Sequence, residues 1–323
     1  MATTITLTAE LDTSLDDFVA ELAAALSRRG IAFDPHARVV EWSEADWRPD
    51  AKNELALRRE GDRIVVELRG FGGSFWDEAD LAGWFADEVA SSFLEAASPS
   101  ALGDWLTDRA ARRPSGAAQR EGYRDPSHHR PSFGAVLGAL QLGSDDVLLE
   151  IGCGGGAFLE QALRSGCSAK AIDHSSELLR VARELNSAAV EEGRLELVEG
   201  DAGELPFADD SCTCAAMMQV FFFLDAERVL AECRRVVRPG GTLAVFTVTE
   251  EAKGSPAAPE PMASRGRFYT DAELVALALA AGFADASVEH PDLEPYAREA
   301  GLPEDVVELF AGADELSQLL VAR

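Results

Sequence analysis

A glycine-rich stretch is the part of this sequence best suited to contact a ligand. A short apolar run that contains Glu150 leads into Gly152, Gly154 and Gly156, with Cys153 between the first two glycines. An apolar strand that breaks into glycines and resumes as a helical pattern brings backbone close to a bound molecule. Glycine removes a side chain that would block this approach, or allows a positive φ. The spacing therefore predicts a ligand-binding turn in an α/β domain.

Acidic residues around this stretch narrow the choice of ligand. Asp173 follows the first glycine by about twenty residues, where a carboxylate can receive ribose hydroxyls. Both NAD and S-adenosylmethionine (SAM) would satisfy this pattern. Glu150 favours SAM, because a pyrophosphate has no use for a carboxylate there whereas an ammonium group does. Asp201, after the next predicted strand, can accept the amino group of adenine.

From Val147 to Phe246 the chain resembles the class I SAM-dependent methyltransferases, particularly the type 11 group that includes ubiquinone and menaquinone biosynthesis enzymes. The resemblance is carried by E-x-G-x-G-x-G at 150–156, by Gly-Asp-Ala at 200–202 and by RRVVRPGGTL at 234–243. It implies SAM as the cofactor and a small molecule as the methyl acceptor. The cofactor-binding residues that it implies are Glu150, Gly152, Cys153, Gly154, Gly156, Asp173, His174, Asp201, Ala202, Gln219 and Val220.

The segment before the first strand of this region supplies candidate catalytic residues. It contains Tyr123, His128 and His129. Members of the family commonly fold this segment over the cofactor and substrate, so these side chains are candidates for lining the site. An ordinary linker with exposed histidines is the alternative.

The acceptor pocket is less well defined by the sequence. Many relatives place a histidine pair after the fourth strand, whereas Phe221–Phe223 occupy that position here. The three phenylalanines indicate either an apolar acceptor pocket or a buried helix start. His174 and His290 are further candidates for a general base. We expect a small, apolar or aromatic acceptor; a non-catalytic SAM-binding protein and an NAD-dependent oxidoreductase are the alternatives.

Strand and helix patterns alternate in the second part of the chain, which predicts a doubly wound, mostly parallel seven-stranded α/β sheet. The pattern ends on a strand rather than a helix. Strands are predicted at 146–151, 169–172, 195–199, 212–218, 242–247, 286–289 and 316–321, and helices at 156–165, 176–189, 225–237 and 271–281, with a loop at 250–264.

The first part of the chain reads as a separate α+β module. All five tryptophans precede residue 106 and all five cysteines follow it. We therefore predict a module at 1–110, a linker and pre-sheet helix capping the site at 111–145, and a methyltransferase domain at 146–323. The first module resembles shortened helix-grip domains of the START and Hsp90-ATPase-activator type. Its predicted strands are 4–8, 39–42, 54–57 and 63–68, its helices 15–29 and 80–97, and its hairpin turn 61–62.

Charge, apolar runs and cysteine spacing argue against nucleic-acid binding, membrane insertion and metal binding. The formal net charge is −28, which disfavours nucleic acid as a partner. We expect no membrane insertion, because no apolar run approaches the roughly 20 residues of a spanning helix, and no signal peptide. The five cysteines lack a metal-ligand spacing, so we expect no metal site and a cytoplasmic location. The sequence carries no indication of the oligomeric state.

Overall fold

The computed structural model divides the chain into two compact units, residues 1–119 and 120–323. In the first unit it describes four strands and the residues 20, 23 and 24. In the second unit it describes residues 123–124, 126–255, 257–258, 263–312 and 314–323. Within these described residues, helices of the length and apolar character needed to cross a membrane are absent.

The first unit contains an antiparallel sheet in the order β1-β4-β3-β2. Each strand includes the stretch predicted for it from the sequence. Three residues of the predicted helix 15–29, at 20, 23 and 24, are helical. The rest of that helix, the helix 80–97 and the turn 61–62 lie outside the described residues, so the helix-grip interpretation stays a prediction. The strands are β1 Thr3–Glu10, β2 Val39–Ser43, β3 Lys52–Glu60 and β4 Arg63–Phe71.

The second unit contains a seven-stranded sheet in the order β10-β11-β9-β8-β5-β6-β7. Strands β5 to β9 pair in parallel, and β10 and β11 are antiparallel additions at one edge. This confirms the predicted fold class. The strands are β5 Val147–Ile151, β6 Ser168–Asp173, β7 Leu195–Glu199, β8 Cys212–Met218, β9 Val237–Val248, β10 Ala286–Glu289 and β11 Ser317–Ala322.

Helices connect these strands, and three of them begin at polar N-cap residues. Ser175, Asp225 and Thr270 each accept a hydrogen bond from a backbone N–H in the first turn of α3, α5 and α6. The helices are α1 Arg130–Leu140, α2 Ala157–Ala162, α3 Ser176–Leu185, α4 Ser187–Glu191, α5 Ala226–Val236, α6 Asp271–Ala280, α7 Glu294–Glu299 and α8 Glu304–Val307.

The single helix predicted at 176–189 is wrong, because the chain breaks at Asn186 between α3 and α4. The side-chain amide of Asn186 is buried and donates to the carbonyl oxygens of Gly156, at 3.1 Å, and Ala182, at 3.0 Å. Asparagine competes with helical hydrogen bonding in this way. The side chain of Asn186 at this break therefore connects the end of α3 to the glycine-rich turn.

Residues 238–241, which precede the strand predicted at 242–247, form a bulge inside β9. Cys212 pairs with Val237, whereas Cys214 pairs with Thr242, so β9 has extra residues opposite Thr213. Gly241 lies so close to the carbonyl of Thr213 that a Cβ atom there would overlap it. The bulge explains why the strand begins five residues earlier than predicted.

The two faces of the sheet have separate cores. One face packs against α5 and α6, and the other packs against α1 and α2. Leu149 and Ile151 of β5 belong to the first core, whereas Leu148 belongs to the second. Since side chains alternate along a strand, Glu150 faces the second core.

Candidate functional site

The carboxyl ends of four parallel strands lie side by side and carry the predicted site residues. Ile151 of β5 pairs with Ile172 of β6 and with Met217 of β8. Asp173, the last residue of β6, pairs with Glu199 of β7. Chain segments leaving these strands therefore share one edge of the sheet, which is where open α/β sheets bind ligands.

Asp173 joins the glycine-rich turn to the start of α3. One carboxylate oxygen accepts the N–H of Gly154 at 2.9 Å, and the other accepts the N–H of Ser175 at 2.9 Å. Ser175, not Asp173, is the N-cap of α3. Burial raises the pKa of Asp173, although both of these N–H groups favour its charged form. A carboxylate has about four acceptor positions, so capacity for ribose hydroxyls remains.

The glycines of the turn are required by contacts within the chain itself. A Cβ atom on Gly152 would lie 2.8 Å from Val220, and one on Gly156 would lie 2.7 Å from Asn186. A Cβ atom on Gly155 would overlap the carbonyl of Tyr123. The φ angles of Gly152 and Gly156 are 71° and 78°, which favour glycine as well. Internal packing therefore explains the missing side chains without a ligand.

Glu150 is a buried acid, only 1% exposed. Its Oε2 atom has no hydrogen-bond partner among the described residues. Burial and the neighbouring Asp173 carboxylate raise the pKa of Glu150 well above its usual value. Such an unpartnered buried oxygen needs an explanation, and a polar or charged ligand group is one.

Asp201 and Ala202 lie in the segment that follows β7. The Asp201 side chain is exposed, accepts the N–H of Gly203 at 2.8 Å, and lies 3.7 Å from Arg228. Ala202 is half-buried against the core. The Asp201 carboxylate is accessible to a ligand at this edge.

Arg235 of α5 holds the next part of the same segment, a role that sequence reasoning missed. Its guanidinium donates to the carbonyl oxygens of Leu205, at 2.9 Å, and Phe207, at 2.7 Å. It also pairs with Asp209 and Glu232, both within 2.8 Å. Such a multiple contact uses the planar fork of arginine. The arginine-rich motif at 234–243 was a signal for this position.

Gln219 and Val220 leave β8 at the same edge. Gln219 has a φ of 53° and donates its N–H to the carbonyl of Phe246 at 2.9 Å. Val220 packs against Gly152.

Cys153 is buried, and burial together with Glu150 and Asp173 raises the pKa of its thiol. His174 is exposed.

Tyr123 lies against the glycine-rich turn, as its contact with Gly155 requires. Burial and the Asp173 carboxylate raise the pKa of Tyr123 to about 12. The adjacent Arg124 pairs with Glu184 of α3 at 2.8 Å. The segment before α1 is therefore held beside the cofactor-binding residues predicted from the sequence.

The two candidate histidines precede α1 and contact each other, with ring centroids 4.2 Å apart. Burial lowers the pKa of His128, and burial together with His128 lowers the pKa of His129 to about 3. Both rings are therefore neutral at pH 7 and are weak bases.

Two of the three phenylalanines after β8 are core residues. Phe221 and Phe222 are 0% and 4% exposed, and Phe223 is half-buried. Of the two interpretations of this stretch, the buried start of a helical turn describes Phe221 and Phe222.

His290, a further candidate base, is bound to Asp271 at 2.8 Å, and this hydrogen bond raises the pKa of His290.

We also considered a cavity and possible metal ligands away from this edge. A cavity of about 410 Å³ is lined by residues such as Gly138, Tyr296 and Val321, and its lining contains none of the predicted site residues. Within the described part of the chain, groups of three or more His, Cys, Asp and Glu side chains that could hold a metal are absent. The carboxyl edge is therefore the candidate site.

A mostly parallel sheet, a glycine-rich turn after β5 and an acid after β6 define an α/β domain of the kind that holds adenosine-containing cofactors. A family model described as a methyltransferase domain matches residues 149–245. The chain is similar to a ubiquinone biosynthesis O-methyltransferase of Paraburkholderia phymatum, with 30% identity over 171 residues, which are 49% of this chain and 73% of that relative. The chain belongs to the class I SAM-dependent methyltransferases.

The chain is also similar to a second relative and to a solved structure. A ubiquinone biosynthesis O-methyltransferase of Xanthomonas campestris pv. campestris is 36% identical over 103 residues, which are 31% of this chain and 42% of that relative. The chain thus spans about two fifths of the length of that relative. A SAM-dependent methyltransferase structure from Aquifex aeolicus has 18% identity and a TM-score of 0.48, covering 64% of this chain and 96% of the other.

Proposed function

We propose that this protein binds SAM at the carboxyl edge of the second sheet and transfers its methyl group to a small molecule. The observation that carries the proposal is the pair of neighbouring acids, Glu150 with a free buried oxygen and Asp173 anchored between Gly154 and Ser175. Two acids in this arrangement suit a ligand with both a positive charge and hydroxyl groups.

Different residues of the edge contact different parts of the cofactor. We assign the ribose hydroxyls to Asp173, with His174 beside it, and the adenine to Asp201 and Ala202. The methionine portion is assigned to a second set, which comprises Glu150, Gln219, Val220 and the turn formed by Gly152, Cys153, Gly154 and Gly156. Family membership favours SAM over NAD for this site.

The chain mainly has to align the acceptor and exclude water. SAM supplies an electrophilic methyl group, so a protein base is needed only for an acceptor that is protonated at working pH. Tyr123, His128 and His129 remain the candidates for contact with the acceptor. Their pKa values, raised for Tyr123 and lowered for the histidines, suit positioning better than proton transfer at pH 7.

We propose a small, apolar or aromatic acceptor. Phe223 and Phe268 are half-buried aromatic side chains near the end of β8, and Phe268 stacks on Phe222 with centroids 5.7 Å apart. Incubation of the protein with methyl-labelled SAM and a metabolite extract tests this directly. A labelled apolar product supports the proposal, and a labelled highly polar product contradicts the acceptor class.

A non-catalytic SAM-binding protein is the second candidate. It is favoured by the state of the three histidines: His290 is hydrogen-bonded to Asp271, and burial lowers the pKa of His128 and His129. Cofactor binding without any labelled product from the extract would support this second candidate over the enzyme.

A further inference from the structure

Glu150 lies in an apolar slot of the sheet. Its neighbours across the two adjoining strands are Ala171 of β6 and Ala216 of β8, both 0% exposed. Methyl side chains offer no hydrogen bonds to a carboxyl group. The Oε2 atom accordingly has no partner among the described residues.

The ionisable groups that act on Glu150 are acidic. The Asp173 carboxylate at the end of β6 raises its pKa, after burial itself, and the Glu150 carboxyl in turn raises the pKa of the Cys153 thiol. The Asp173 carboxylate also raises the pKa of Tyr123, and His174 favours the charged form of Asp173, but neither Tyr123 nor His174 shifts the pKa of Glu150. Within the described part of the chain, ion pairs to Glu150 from Lys, Arg or His are absent. The charged form of Glu150 therefore has no counter-ion among the described residues.

A buried carboxylate without a counter-ion is unstable, and the usual response is protonation. A second carboxylate nearby adds repulsion and favours the same outcome. A cation that entered the site would reverse the balance, because it would supply the missing charge.

We propose that Glu150 is a protonated acid in the cofactor-free protein and releases this proton to solvent when the ammonium group of the cofactor binds. The O–H bond of the carboxyl group breaks, the proton passes to the buffer, and the carboxylate remains as the counter-ion of the bound cation. No electrons are transferred. This inference rests on the proposed function, since it requires that the cofactor binds at this edge.

Because Glu150 loses a proton when it pairs with an ammonium group, it favours ligands that carry a positive charge. A neutral adenosine fragment such as 5′-methylthioadenosine lacks the ammonium group and leaves the proton in place. Affinity for the complete amino-acid cofactor increases with pH, whereas affinity for the neutral fragment does not, because only the first reaction releases a proton.

Calorimetric titration of the full chain with S-adenosylhomocysteine at pH 7, in buffers of different ionisation enthalpy, counts the protons directly. We expect release of about one proton per bound ligand, as linkage requires for one group that changes from protonated to ionised. Glu150→Gln, which resembles the neutral acid in shape, should bind without release. Cys153→Ala should retain the release, which separates the carboxyl from the neighbouring thiol.

The outcomes are distinguishable. Binding of S-adenosylhomocysteine by the unaltered protein without proton release overturns the inference and leaves the proposed function standing. Absence of binding overturns both. Titration with 5′-methylthioadenosine needs no variant, and proton release equal to that of S-adenosylhomocysteine would overturn the inference even where Glu150→Gln does not fold.

Discussion

The carboxylate of Asp173 accepts the backbone N–H of Gly154 at 2.9 Å, across the gap between two parallel strand ends. Its second oxygen accepts the N–H of Ser175. One side chain thus sets the path of the glycine-rich turn and the start of α3. A residue with this placement contributes to the stability of the turn and of α3, and under the proposed function it also contacts the ligand.

Asp173→Ala should therefore have two effects. Loss of two charge-assisted hydrogen bonds should lower the free energy of unfolding by about 2 kcal/mol. Loss of the proposed ribose contact should weaken binding of S-adenosylhomocysteine by about tenfold or more, which corresponds to about 1.4 kcal/mol. Urea denaturation and calorimetry measure the two effects separately.

Ser175→Ala is the matched control for this change. It removes the N-cap of α3, whose hydroxyl accepts the N–H of Leu178 at 3.3 Å, and leaves the Asp173 carboxylate in place. It should cost about 1 kcal/mol of stability and leave affinity nearly unchanged. Equal affinity losses in both variants would assign the effect of Asp173 to the fold alone.

Gly156→Ala should destabilise the domain more than the same substitution at another glycine with a positive φ. The new Cβ atom would meet Asn186 at 2.7 Å and Ala182 at 2.9 Å, in addition to adopting a φ of 78°. Backbone strain of about 1–2 kcal/mol and overpacking of about 1–3 kcal/mol add to a loss of about 2–5 kcal/mol.

Gly193 provides the control, because it also has a positive φ, 70°, but a Cβ atom there would meet no atom of the described residues within 4 Å. Gly193→Ala should cost about 1–2 kcal/mol, the backbone part alone. Chemical denaturation of both variants gives the comparison. Similar losses at the two positions would show that packing against Asn186 is not what requires glycine at residue 156.

Arg235→Ala should loosen the segment after β7. Removing the guanidinium leaves the carbonyl groups of Leu205 and Phe207 without this donor and should cost about 2–3 kcal/mol. Arg235→Lys should recover little, since lysine cannot form the same fork. Arg164→Ala, which breaks an exposed i,i+4 pair with Glu160, should cost less than about 0.5 kcal/mol in the same denaturation experiment. Equal costs for Arg235→Ala and Arg164→Ala would contradict this role.

The His290–Asp271 pair predicts a pH dependence of stability. The hydrogen bond to Asp271 raises the pKa of His290, so its contribution is complete below the usual value of 6.5 and is lost as pH rises through the folded-state pKa. Burial opposes the shift at Asp271, but hydrogen bonds from His290 and Gln318 hold its pKa below the usual 3.8. The contribution of Asp271 is therefore lost at the acid end, as pH falls through its folded-state pKa.

His290→Gln should remove the alkaline part of this dependence. The His290 side chain is 37% exposed, so solvent screening limits the size of the effect. Melting temperatures of the two proteins should converge as pH rises above the folded-state pKa of His290 and diverge below it. A difference that stays constant between pH 5.5 and 9 would contradict the account.

Much of the fold could be predicted because buried parallel strands read as short apolar runs between helical patterns. Strand β8, with six of its seven residues buried, is such a run. The break at Asn186 could not be predicted in the same way, because its cause is a hydrogen bond to Gly156, thirty positions away. Local patterns carry no information on such a contact.

The acids of the candidate site could be proposed from their spacing, whereas the packing that requires the glycines could not. The same glycine pattern suits a ligand pressed against the backbone and the packing of Val220 and Asn186 that the structure contains. The environment of Glu150 was equally hidden, since it depends on Ala171 and Ala216 in neighbouring strands. Sequence indicates which groups meet at an edge, but their partners depend on the register of the sheet.

Binding of the cofactor is the central claim, and calorimetric titration of the full chain with SAM tests it most directly. We predict saturable binding at one site, weakened about tenfold or more by Asp173→Ala, with no binding of NADH under the same conditions. Absence of heat and of any shift in melting temperature with SAM, or tighter binding of NADH, would contradict the account.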